Sequence, residues 1–398
     1  MRQIFFYLIA LQISIASGIN WSAPVLLFSS EDDSGITPKI AVHPTEQTAT
    51  AAWIASGSGT IIYGAAFGSG SWGTPVAIST SANVQASLNL GVNGAGTYVM
   101  ACDLLDDPEL QLAAAYNAGG SWSPTAAINN FGAVDGLIPL NLATQADGTS
   151  IITWQGSDGG FYGISYSSGV AGDPYLISEQ GFIVTDSITY NDRAIFATAE
   201  AVYATPITPS PTNTLLLPRM ARPSSLCLDS ASGKSVFAFQ DQKSNFFLSA
   251  LANEAAFTYA IIATPNTPII NAKVAVNPND GHAVAIWQLN TGQIQAAYFD
   301  GFQWGNQTTL STNGASPSIA FNPATNHATA LWADLTSNAI FSALFQGYSW
   351  SAPVSLSAQG AVVSDPHIRI NTQGNAFAVW ARQLTSDSQA IIEAAIGQ

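Results

Sequence analysis

Ala283-Val284-Ala285-Ile286-Trp287 is the stretch that decides the fold. Small residues at 283 and 285 lead to a tryptophan, with bulky Val284 and Ile286 between them. Side chains alternate along a strand, so Ala283, Ala285 and Trp287 share one face and Val284 and Ile286 the other. The pattern returns as Ala49, Ala51, Trp53, as Ala328, Ala330, Trp332 and as Ala376, Ala378, Trp380. Ser150, Ile152 and Trp154 follow it, and Ser235, Phe237 and Phe239 follow it more loosely. Cys102 stands in the tryptophan slot of a further copy, which reads as a small buried hydrophobe. A sheet with one alanine face and one bulky face nests against a copy of itself, large side chains entering the space over small ones. A lone repeat buries neither face, so the array must close on itself or be capped.

Working outward, each of these strands follows a shorter one that ends in a turn. Examples are Pro38-Lys39-Ile40-Ala41-Val42-His43-Pro44, Ala272-Lys273-Val274-Ala275-Val276-Asn277-Pro278 and Pro317-Ser318-Ile319-Ala320-Phe321-Asn322-Pro323. Asn-Pro followed by Gly or Asn supplies the hairpin turn. A third, alanine-rich strand comes next, as in Gln295-Ala296-Ala297-Tyr298-Phe299. A glycine turn and a tryptophan then lead into a fourth, as in Gly70-Ser71-Trp72-Gly73-Thr74-Pro75-Val76 and Ser349-Trp350-Ser351-Ala352-Pro353-Val354. The whole unit repeats at roughly 45 to 50 residues, a period of radial or solenoid arrays.

The two ends explain each other. Asn20-Trp21-Ser22-Ala23-Pro24-Val25 is a fourth strand with no repeat before it, and Ile391 to Ile396 is a third strand with no fourth after it. The expected fold is therefore all-β: a closed β-propeller of eight four-stranded blades, its last blade closed by the N-terminal strand. Second strands at Trp53, Cys102, Trp154, Ala199, Phe239, Trp287, Trp332 and Trp380 give the count. Around Ala199 no tryptophan appears, and Pro206, Pro209, Pro211 and Pro218 crowd the stretch, so seven blades stand as the alternative.

Composition agrees from end to end. Of 398 residues, 47% are hydrophobic and only 9% charged, with a formal net charge of −15. A polyanion repels phosphate backbones, which excludes nucleic acid as a partner. Arg2 precedes an apolar run from Ile4 to Leu11, then small residues Ala16, Ser17 and Gly18, the pattern of a secretory signal peptide. The expected organisation is a signal peptide over 1–18 and one propeller domain over 19–398. The expected location is secreted, periplasmic or cell-surface, with no transmembrane segment after signal removal, and the expected state is a monomer. Cys102 and Cys227 are too few for a disulfide framework.

The Gly-x-x-Trp turns at Gly119 to Trp122, Gly301 to Trp304 and Gly347 to Trp350 resemble those of Asp-box (BNR) repeats in sialidase-like propellers. The Ser-x-Asp that should precede the glycine is missing in every copy. The chain looks most like secreted bacterial propellers with Trp-Ser-x-Pro repeats, and fucose lectins are a more distant analogy. That resemblance implies either glycan binding or a degenerate glycan-processing hydrolase. Sialidase-like chemistry would need an arginine cluster, and beyond the leader only Arg193, Arg219, Arg222, Arg369 and Arg382 are available. Convergence of Arg193, Arg369 and Arg382 in a central pocket would favour an enzyme.

The expected function is a non-catalytic binding propeller that recognises a glycan or a surface protein, with no cofactor and no metal. The acidic runs Asp103 to Glu109 and Glu31 to Asp33 match no calcium-loop spacing. His282 and His327 occupy one slot in neighbouring repeats, too far apart to share an ion. The candidate ligand-binding residues lie at the second-strand ends: Trp154 and Gln155, Gln240, Trp287 and Gln288, Trp332 and Asp334, Trp380 and Arg382. An aromatic ring beside an amide or carboxylate suits a sugar, the ring covering C–H faces and the polar group reading hydroxyls.

Overall fold

The computed structural model describes residues 19–398 except 31–36, 57–59, 80–83, 94, 107–108, 118–119, 129–140, 145–148, 157, 179–183, 191–192, 199–201, 207–213, 218–226, 232–233, 242, 254–255 and 384–389. The leader over 1–18, Glu31 to Asp33 and Ala199 therefore lie outside the described residues, as do Pro209, Pro211, Pro218, Arg219 and Arg222. The described residues are strands and turns, arranged in eight antiparallel sheets. None forms a helix long and apolar enough to cross a membrane.

The sheets follow the chain order. Sheet 1 is built from Lys39–Val42, Ala49–Ser56 and Thr60–Gly68, with Ser71–Trp72 and Val76–Ala77 both pairing with the third strand. The fourth strand is split because Pro75 lacks the N–H that a continuous ladder needs. Sheets 2 and 3 begin with Val84–Val92 and Asn141–Thr144, and sheet 4 spans Val184–Tyr190, Arg193–Thr198, Val202–Pro206 and Thr214–Leu217. Thus the described residues on either side of the proline-rich stretch do pair within a four-stranded sheet, with Pro206 opposite Arg193 at a strand end. Sheets 5, 6 and 7 begin with Cys227–Ala231, Ile269–Val276 and Gly314–Asn322. Sheet 8 joins the two ends of the chain: Val362–Ile370, Ala376–Gln383 and Ala390–Gly397, then the N-terminal Val25–Ser30 along its outer edge.

Packing follows the two-faced pattern. Val284 and Ile286 of sheet 6 lie over Ala328, Ala330 and Trp332 of sheet 7. Leu331 of sheet 7 meets Ala378 and Trp380 of sheet 8. Phe377 and Val379 of sheet 8 then cover Ala49, Ala51 and Trp53 of sheet 1. Cys102, fully buried, receives Ile54 and Ile62 of sheet 1, as its small volume allows. First strands run side by side, from Lys39–Val42 through the sheets to Val362–Ile370, which lies back against Lys39–Val42; the described contacts leave out only the step from sheet 4 to sheet 5.

Candidate functional site: a cationic axial cavity

Among the described residues, seven first strands contribute to one cavity, each through the same register slot. In sheet 1, Lys39 pairs with Ala52, the residue before Trp53. The residue before the tryptophan or its stand-in is faced likewise by Asn89, Asn141, Cys227, Lys273, Ser318 and His367. These seven residues line a cavity of about 700 Å³. Two positions further along, Ala275 and Ala320 leave room, while Asp229 and Arg369 reach in. Pro44, Pro278 and Pro323, at the turns that end three of the strands, complete the wall.

The cavity is electropositive inside an acidic protein. Lys39 Nζ lies 3.2 Å from His367 Nε2. Arg369 Nη1 donates to the Ile368 carbonyl at 3.0 Å. Asp229 Oδ2 accepts from the Val276 backbone N–H at 2.7 Å. Burial first, and then the Lys273 charge, lowers the Lys39 ammonium from 10.5 to about 8; Asp365 opposes this and Arg369 adds to it. Burial, followed by Lys39, Arg369 and Lys273, holds His367 well below 6.5, so its ring is neutral at pH 7. Burial lowers Arg369 from its ordinary value and Asp229 partly offsets it, yet a guanidinium stays charged. Arg369 and Lys273 keep accessible surface although protein rings the cavity they face, so a ligand entering there meets them directly.

A charge held this way costs stability. Lys39 is protonated more readily in the unfolded chain than in the folded one, so the penalty is complete below pH 8 and disappears as pH rises toward 10.5. The fall in pKa bounds it at about 3 kcal/mol, and partial exposure to water screens it to about 1–2 kcal/mol. Lys39→Met is therefore expected to raise Tm at pH 7 and to lose that advantage by pH 10.5. Equal melting curves at both pH values for the two proteins would remove the strain argument.

The nine residues picked from the second-strand ends do not converge. Trp287 and Trp380 have no accessible surface, and Trp154 and Trp332 at most 2%. Their partners are structural: Trp154 stacks on Tyr162 at 5.8 Å, and Trp332 on Phe341 at 6.2 Å. The Trp287 indole donates to Gln295 Oε1 at 3.2 Å. Gln240 Oε1 accepts the backbone N–H of Ile269 at 2.8 Å, while its amide donates to the Asn245 and Thr267 carbonyls. Gln288 Oε1 accepts from Ser316 N–H at 3.1 Å, and Gln155 donates to the Gly159 carbonyl at 3.4 Å. Gln240 and Gln288 thus staple one sheet to the first strand of the next. Asp334 caps the turn at Thr336 and Ser337, and with Trp332 it borders a smaller cleft of about 300 Å³. Arg382 is paired with Glu393 at 2.7 Å, and the other Glu393 oxygen accepts from the Trp380 indole.

Of the three arginines whose convergence would mark an enzyme, Arg369 lines the cavity, whereas the side chain of Arg193 lies outside the described residues. Arg193 starts the second strand of sheet 4 and Arg382 is held by Glu393. The lysines were missed. Their signal was present, because Lys39 and Lys273 sit at one position of the first-strand repeat. Among the described residues, no group of three His, Cys, Asp or Glu side chains is placed to hold a metal ion.

No protein-family model matches the chain, and no curated protein matches it. Its structure is similar to the propeller domain of a prolyl endopeptidase, with a TM-score of 0.52 and 10% identity over 89% of this chain and 55% of that one. It is also similar to a protein of unknown function from Dyadobacter fermentans, with a TM-score of 0.48 and 12% identity over 96% of this chain and 99% of the other. A lectin of Aleuria aurantia in complex with Fucα1-6GlcNAc gives 0.43 and 11%, over 81% and 97%. The likeness to the prolyl endopeptidase domain, at 10% identity, speaks to fold alone, and that fold is all-β and propeller-like.

Proposed function

We propose that the chain is an exported, closed propeller of eight blades, with the N-terminal strand completing the last, and that it binds a ligand without transforming it. The ligand is an acidic glycan whose charged end enters the axial cavity. The observation that carries this is the meeting of Lys39, Lys273 and Arg369 in one cavity of a protein whose formal charge is −15. Against a negative exterior, a recessed cationic pocket selects for a small anionic group that fits within it. A volume near 700 Å³ suits the end of an oligosaccharide better than the face of a folded protein. In this reading the tryptophans and glutamines of the second strands build the walls and do not touch the ligand. Arg382 is held by Glu393 and does not line the cavity beside Arg369, which favours binding over sialidase-like hydrolysis.

A glycan array tests it directly. Uronate- and sulfate-bearing glycans should be retained and neutral ones not, and Lys273→Met or Arg369→Met should weaken retention about tenfold or more, the scale of one charge-assisted contact. Equal retention of neutral glycans, or indifference to both substitutions, would overturn the reading.

A further inference from the structure

Two of the four lysines in the sequence, Lys39 and Lys273, stand in the axial cavity. Lys243, by contrast, is exposed at a turn. Lys39 differs from an ordinary lysine in having an imidazole nitrogen 3.2 Å from its amine, on a histidine kept neutral by its surroundings. Its amine is therefore in contact with a base and faces a cavity. Lys273 and Arg369, lining the same cavity, bring positive charge that both disfavours a proton on Lys39 and attracts an anion. An amine that gives up its proton more readily than an ordinary lysine, a base at hydrogen-bond distance and cationic anchors for a carboxylate are the parts that a carbonyl-capturing lysine needs.

We propose that Lys39 captures carbonyl-bearing carboxylates, the 2-oxo acids, as a reversible imine in the axial cavity. This rests on the reading that the cavity takes an anion. Lys273 and Arg369 hold the carboxylate while the Lys39 Nζ lone pair attacks the carbonyl carbon. The carbonyl π pair moves to oxygen, which takes up the first nitrogen proton, and the addition gives a neutral carbinolamine. Nitrogen then expels the hydroxyl group, which leaves as water with the second nitrogen proton passed to it through His367 Nε2, so that amine plus carbonyl gives imine plus water. No oxidant or reductant is consumed.

The test treats the full folded protein with pyruvate and sodium cyanoborohydride, which reduces any imine to a stable secondary amine, and maps the adduct by peptide mass spectrometry. One carboxyethyl group is expected on Lys39 and none on Lys243. The initial labelling rate should be half-maximal near pH 8, as set by burial first and then by Lys273, Asp365 and Arg369, with the neutral His367 in contact. Lys39→Arg should abolish the adduct. Arg369→Met should cut the yield with pyruvate about tenfold, while the yield with uncharged propanal stays within twofold. Absence of label on Lys39, or label spread equally over Lys243, would overturn the proposal even if Lys39→Arg fails to fold, because wild-type protein alone supplies that result. If acidic glycans are retained and Lys39 stays unlabelled, the imine falls and the anion-binding cavity stands. If neither is seen, both fall.

Discussion

Deleting residues 19–30 is expected to lower Tm by roughly 10 °C or more and to make the protein aggregate. The segment is far from a loose tail. Val25–Ser30 pairs with Ala390 to Ala394 along the outer edge of sheet 8. Ser22 N–H donates to the Ile396 carbonyl at 2.7 Å, and the Ser22 hydroxyl accepts from Ile396 N–H at 3.1 Å. Leu27, 6% exposed, belongs to the core shared by sheets 8 and 1, together with Trp53, Phe377 and Ile392. Phe28 lies against the Trp53 ring at 5.7 Å and the Tyr63 ring at 5.0 Å, so the strand packs onto sheet 1 while it pairs in sheet 8.

The magnitude follows from what is removed. Burial of Leu27 and Phe28 contributes about 1.5–3 kcal/mol each, and each lost backbone hydrogen bond about 1 kcal/mol. Together these approach the whole stability of an ordinary domain, about 5–15 kcal/mol. Aggregation follows because Ala390–Gly397 becomes an open edge with unpaired N–H and C=O groups. Differential scanning calorimetry and size-exclusion chromatography read both effects. A melting temperature within about 2 °C of the intact chain, with no aggregate, would mean that the N-terminal strand does not hold sheets 8 and 1 together.

How much of this was legible depends on what each residue answers to. The tryptophan and alanine positions answer to packing between neighbouring sheets, and because one described sheet after another meets a similar neighbour, the demand repeats and the pattern shows. The same logic exposed the N-terminal strand, since Trp21 to Val25 copies a unit found at Trp350 to Val354. Sheet 4 was harder to read because its second strand, Arg193–Thr198, carries no tryptophan to mark it. The cavity residues answer to no common packing demand: Cys227 belongs to the core of sheets 5 and 6, whereas Lys39 meets His367. Lys39, Asn89, Asn141, Cys227, Lys273, Ser318 and His367 share one register slot and differ in chemistry. A search for what repeats passes over a position at which the identity varies. Gln240 and Gln288 misled for the opposite reason: a polar group at the end of an apolar strand suggests a ligand, whereas buried amides are satisfied here by backbone groups of the next sheet.

Trp287→Ala separates the two roles that a repeated tryptophan could play. The indole is wholly buried, packs against Phe247 of sheet 5 at 5.1 Å and belongs to the core that joins sheets 5 and 6. Truncation leaves a void between two sheets whose strands are each fixed by their own ladders, so the walls have little freedom to collapse into it. The expected cost is about 3–5 kcal/mol, and loss of the indole donor leaves Gln295 Oε1 without its 3.2 Å partner. Trp287→Phe, which keeps a ring against Phe247, should lose markedly less. Retention of acidic glycans, measured well below either melting temperature, should be unchanged, because Trp287 does not line the axial cavity. Arg369→Met should show the reverse pattern, with binding lost and Tm little altered. Were Trp287→Ala to abolish binding at an unchanged melting temperature, the tryptophans would be the ligand platform after all, and the axial lysines and arginine would lose their role.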